Sequence, residues 1–103
     1  MIQVDIHYDK NGLKEIKSSG HAMYDDYGKD IVCAGVSTVL IGGINAIYEI
    51  GLIDSITYEV EEGMTSIQVK ESSHDLQTIL RVMEIQLRSI EESYSDYITI
   101  MEV

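Results

Sequence analysis

Apolar and polar side chains alternate from the first residues of the chain. Ile2, Val4, Ile6 and Tyr8 are separated by Gln3, Asp5 and His7, the period-two pattern of a strand with one buried face. Asn11-Gly12 tolerates the positive backbone angles of a tight turn, and Leu13 to Ser18 returns as a more polar second strand, which predicts a β-hairpin. The periodicity stops between Gly20 and Lys29, a polar and aromatic run bracketed by glycine that reads as a loop. Asp30 is a good helix N-cap, and beyond it Val32, Val36, Leu40, Ile44 and Ile47 recur at helical spacing until Gly51 offers a left-handed stop. The β-branched content of this helix is high, but propensity is weak enough for tertiary packing to override it.

The second half repeats the same order of elements. Ile56, Tyr58 and Val60 alternate with Thr57, Glu59 and Glu61, and Glu62-Gly63 turns the chain toward Ile67 and Val69 in a second hairpin. Ser72 or Ser73 begins a helix whose N-terminus Asp75 favours through the dipole, and Leu76, Leu80, Met83, Leu87 and Ile90 form its apolar stripe. Tyr97 to Val103 closes as a strand. The order β-β-α-β-β-α-β predicts an α+β fold, an antiparallel or mixed sheet covered by two helices. With 103 residues the chain supplies one core, so 1–103 is read as a single domain.

Composition narrows the function classes. Eighteen acidic residues against seven basic ones give a formal net charge of −11, which argues against direct contact with nucleic acid and for a basic protein partner. The hydrophobic run from Ile31 to Ile44 is interrupted by Ser37, Thr38 and glycines and falls short of a bilayer span, and the N-terminus has no basic patch before an apolar run. The expectation is a cytoplasmic protein with no membrane contact. A lone cysteine builds no intrachain disulfide, leaving its thiol free for chemistry in a reducing compartment. His7, His21, His74 and Cys33 lack the short paired spacings of zinc sites, so no metal and no cofactor is expected, and His7 and His74 read as surface residues. Gly42-Gly43 lacks phosphate-loop spacing and reads as a place of close helix packing.

The chemistry concentrates around the loop. His21 and Cys33 flank it, and with Asp30 as the cap Cys33 falls in the first helical turn, where unpaired N–H groups and the positive end of the dipole favour a thiolate. His21 is the best placed of three histidines to act as base and acid, and the same N–H groups offer a site for an oxyanion. Local chemistry leaves the competing role of Cys33 open: a small buried hydrophobe on an apolar helix. Asp30 has two candidate roles, helix cap or orienting member of a triad, of which the cap takes precedence. Its negative charge opposes a thiolate at Cys33 unless backbone donors hold the carboxylate or His21 is protonated. Ser37, one turn beyond Cys33, either bonds near the site or bonds back along its own helix. Met23, Tyr24 and Tyr27 either close over bound aromatic rings or serve ordinary loop packing.

Gly20-His21-Ala22 followed by Gly28-x-Asp30-Ile31-Val32-Cys33-Ala34-x-Val36-Ser37 resembles the signature of the ribosomal-processing cysteine proteases called Prp. Chain length, element order and the acidic end of the second helix, Glu91-Glu92-Ser93-Tyr94, extend the resemblance over almost the whole chain. The resemblance implies a cysteine endopeptidase with His21 and Cys33 as catalytic dyad. It further implies removal of a short N-terminal extension from the bacterial large-subunit ribosomal protein numbered twenty-seven, after a pair of phenylalanines. It also implies a homodimer, and a mobile loop, here Ala22 to Lys29, that substrate orders. An acidic enzyme attracting a basic ribosomal protein by long-range steering agrees with the charge balance. The alternatives are a non-catalytic ribosome-assembly binding module and, ranked last, a redox sensor, which lacks a second cysteine to resolve a sulfenic acid.

Overall fold

Ile2, Val4 and Ile6 are all buried on one face of strand β1 (Ile2–Asp9), and the intervening Gln3 and His7 are exposed on the other. Residues 1–26 and 29–103 are described by the structure, a computed structural model. After β2 (Gly12–Ser19) come helix α1 (Ile31–Glu49), a 3₁₀ turn at Ile53–Ser55, β3 (Ile56–Glu61), β4 (Met64–Val69), helix α2 (His74–Ser93) and β5 (Ile98–Glu102). This is the predicted order, with the 3₁₀ turn as an addition.

The five strands form one sheet in the order β3-β4-β2-β1-β5. Of the two alternatives the sequence left open, the sheet is mixed: β1 pairs in parallel with β5, and the other pairings are antiparallel. Parallel pairing follows from the return path, since the chain reaches β5 from β4 through α2 rather than through a hairpin. Lys14 is the extra residue of a bulge opposite the His7–Tyr8 step of β1, so Leu13 and Ile16 both face the core although they are three apart.

Both helices lay their apolar stripes on the same face of the sheet. Val32, Val36, Leu40, Ile44 and Ile47 of α1 and Leu76, Leu80, Met83 and Leu87 of α2 join the strand residues Val4, Ile16, Ile67 and Ile98 in one core. Helix α1 is long and apolar enough by length and composition to cross a bilayer, which the interrupted run from Ile31 to Ile44 did not suggest. In the fold its stripe is part of the core. Gly43 bears out the reading of close packing: a Cβ there would overlap the sulfur of Met83 on α2. Ser73 caps α2 by accepting the Leu76 N–H at 3.2 Å. At the sheet edge only Ile56 of β3 is buried, and Tyr58 and Val60 on the same face stay exposed. That uncovered edge opens the cleft described next.

Candidate active site

The site is built where the end of β2, the start of α1 and the β3–β4 turn converge. Asp30 caps α1: Oδ1 accepts the N–H groups of Val32 and Cys33, each at 3.0 Å, and Oδ2 accepts the N–H of Tyr24 at 2.9 Å. Burial alone would raise the Asp30 pKa, but the backbone donors of Cys33, Tyr24, Asp25 and Val32 together outweigh it and hold the carboxyl below the ordinary aspartate value. The cap reading is therefore built into the helix start, with the carboxylate engaged by backbone rather than by the imidazole.

Cys33 lies in the first turn, half-buried against the core. Its sulfur accepts a hydrogen bond from the backbone N–H of Ala22 at 3.3 Å. Ala22 is itself buried, so the segment carrying His21 is anchored directly on the thiol. Three donors of the helix start are used internally: Val32 and Cys33 N–H bind the Asp30 carboxylate, and Ala34 N–H binds the Asp30 carbonyl at 3.0 Å. The donor aimed at the reactive atom is thus Ala22 N–H, a group that sequence reasoning did not single out.

His21 and Cys33 line one cleft of about 650 Å³. Val36, Leu40, Ile41, Val60 and Met64 supply its apolar lining, and Asp25, Glu61 and Glu62 bring carboxylates to it. Ser37 lines the same cleft, whereas the neighbouring Thr38 hydroxyl is the one that bonds back along the helix, to Ala34 O at 2.8 Å. Met23 turns through a left-handed backbone conformation, φ 59°, between buried Ala22 and Tyr24, and its side chain is 78% exposed at the cleft. Tyr24 points elsewhere: its ring packs edge-on against Tyr94 and Tyr97 beyond the end of α2, with centroids 5.7 and 5.0 Å away. Tyr27 lies outside the described residues.

Sequence reasoning also missed the β3–β4 turn as a wall of the site. Ser19 pairs with Met64, which sets Glu62-Gly63 beside Gly20-His21, and the Gly20 N–H donates to Gly63 O at 2.9 Å. Glu62-Gly63 was legible as a turn, but nothing local in it announces its neighbour. Away from the cleft, His7 bonds the Val103 carbonyl through Nδ1 at 2.7 Å, and His74 is exposed at the start of α2. Among the described residues no cluster of three or more histidine, cysteine or carboxylate side chains could hold a metal.

A thiol at the start of a helix, hydrogen-bonded by a backbone N–H and sharing a cleft with an imidazole, is an arrangement suited to cysteine-type hydrolysis. The sequence model of the family described as Cysteine protease Prp matches residues 1–99. The ribosomal processing cysteine protease Prp of Staphylococcus aureus strain Mu50 is 41% identical over 103 residues, 95% of each chain. The Bacillus subtilis protein of the same description is 30% identical over 104 residues, covering 93% of this chain and 92% of its own. A crystal structure of the S. aureus protease with a covalently linked product peptide superposes with a TM-score of 0.89 at 37% identity, covering 100% of both chains. The chain belongs to the Prp family of cysteine proteases and is a cysteine-type peptidase.

Proposed function

We propose that this peptidase processes a basic ribosomal protein, with Cys33 as nucleophile and His21 as general base and acid. The observation that carries the reading is the Cys33 sulfur, held by the Ala22 N–H in the first turn of α1, in the cleft that His21 also lines. His21 takes the thiol proton and the thiolate attacks the scissile carbonyl carbon. Ala22 N–H, already directed at the sulfur, is a donor available to the oxyanion that forms beside it. The C–N bond breaks as His21 returns the proton to the leaving amine, and a water deprotonated by His21 then releases the acyl group as a carboxylate. Asp30 serves as cap and Ser37 as a polar group of the cleft, while Met23 borders the entering peptide.

The ribosomal substrate rests on the relatives named above and on the cleft's character. An apolar lining suits apolar residues at the cut, and Asp25, Glu61 and Glu62 suit a basic chain around them. The particular substrate proposed is the N-terminal extension of large-subunit protein twenty-seven. The enzyme acts in the cytoplasm as a homodimer. The test incubates the protein with a peptide spanning that extension and follows the products by mass. Wild type should cut after the phenylalanine pair, and Cys33→Ala and His21→Ala should each lose on the order of 10³-fold or more in kcat. Binding without cleavage by wild type supports the assembly-module reading instead, and cleavage by Cys33→Ala removes the proposed nucleophile.

A further inference from the structure

We propose that Gly63, in the β3–β4 turn, is a positioning residue for His21: the absence of a side chain there sets the orientation of the imidazole in the cleft it shares with Cys33. The proposal rests on the reading of His21 as base and acid, and deepens it by naming what holds the ring. Gly63 has a φ of +75°, and a Cβ built on it would lie 3.1 Å from His21 Nε2, 3.6 Å from Cε1 and 3.9 Å from Cδ2. The imidazole therefore sits in tight contact range of the position where a side chain at residue 63 would begin. Among the described residues no hydrogen bond holds the ring, and His21 is exposed, so the turn at Gly63 is the neighbour that borders it on that side.

The backbone on either side of His21 is already fixed. Gly20 donates its N–H to the carbonyl of Gly63 itself, at 2.9 Å, and buried Ala22 donates its N–H to Cys33 Sγ at 3.3 Å. With both neighbours hydrogen-bonded to other elements, a group added at residue 63 is met by the imidazole, which must give by a few tenths of an ångström. A displacement of a few tenths of an ångström matters for proton transfer, since misplacement by about 1 Å can cost about 10²-fold in rate. The turn thus acts through His21, without needing to touch the reacting atoms itself.

The experiment must separate this contact from the backbone strain that any side chain suffers at a left-handed position. Gly51 supplies the control, because its φ is +85° and a Cβ there meets nothing within 4 Å. Gly63→Ala and Gly63→Asn should each lower kcat about tenfold with little change in KM; asparagine tolerates the left-handed backbone yet still carries a Cβ. Gly51→Ala should lower the melting temperature by an amount similar to Gly63→Ala and keep wild-type kcat. The second readout is the pH profile of Cys33 alkylation by iodoacetamide. Gly63→Ala should alter it in the wild-type background and leave it unaltered in a His21→Ala background. An equal effect of Gly63→Ala in both backgrounds, or wild-type kcat in Gly63→Asn, overturns the proposal. Full cleavage by His21→Ala is a different result, which removes the underlying role of His21.

Discussion

Asp30 Oδ1 accepts the N–H of Cys33 at 3.0 Å, so the carboxylate nearest the thiol in sequence faces the peptide backbone. A negative charge three residues from a nucleophilic sulfur opposes its ionisation unless donors hold it. Here the Val32, Cys33 and Tyr24 N–H groups do, and one side chain both starts the helix and ties down the loop.

Replacing Asp30 separates the cap from its charge. Asp30→Ala should cost about 1 kcal/mol, and Asp30→Asn much less, since an amide oxygen also caps. The folded-state pKa of Asp30 is lowered, so its charge-linked stability is complete above the ordinary aspartate value of about 3.9 and is lost as the pH falls through the lower folded-state value. Melting curves of wild type and Asp30→Asn should converge on acidification through that window. A gap that stays constant would show that the charge contributes nothing beyond the cap.

Tyr24 anchors the loop to the end of α2 through its contacts with Tyr94 and Tyr97. Each aromatic pair contributes about 0.5–1.5 kcal/mol, and partial exposure of Tyr24 puts the expected loss in Tyr24→Ala near the lower end. Amide exchange should quicken between residues 20 and 26 with little change in the core strands, while Tyr24→Phe should exchange like wild type. Uniform quickening across the sheet would mean that Tyr24 supports the fold and not the loop.

Glu84 is the buried charge of the molecule's other polar cluster, with its side chain 2% exposed. It accepts from the Tyr8 hydroxyl, from Arg88 Nε at 2.8 Å and pairs with Arg81 at 3.2 Å, joining α2 to β1. Burial pushes its pKa up, but the Tyr8 hydroxyl and the two guanidinium groups outweigh this and lower it. Glu84→Gln should cost about 1–3 kcal/mol at neutral pH, reduced because both arginines reach solvent. The cost should shrink as the pH falls through the lowered Glu84 value, which denaturant titrations at neutral and acidic pH can measure.

Glu61 and Glu62 face a cleft whose lining is otherwise largely apolar. The double substitution Glu61→Gln/Glu62→Gln should reduce kcat/KM several-fold for a lysine-rich peptide at low ionic strength. The gap should close as salt is raised toward about 1 M, where the Debye length falls to about 3 Å. An unchanged salt dependence would assign substrate capture to the apolar lining alone.

Much of the site could be read from local sequence because its covalent geometry is local. A capping residue at 30 and a thiol at 33 share one helical turn wherever that helix packs, and the structure keeps both there. The histidine at 21 was legible as a candidate, but its surroundings were not. Ala22 N–H reaches the sulfur only after the loop folds back, and the partners that the Tyr24 ring packs against lie 70 and 73 residues away in sequence.

By itself the sequence determined which segments become strands and helices and which face of each seeks the core, since these follow from periodicity and capping within a few residues. Tertiary structure decided the parallel pairing of β1 with β5, the bulge that turns both Leu13 and Ile16 inward, and the pairing of Ser19 with Met64. The last of these sets Gly63 against His21. Burying one face of a strand is compatible with several neighbours, and the choice among them depends on the packing of the whole sheet beneath two helices.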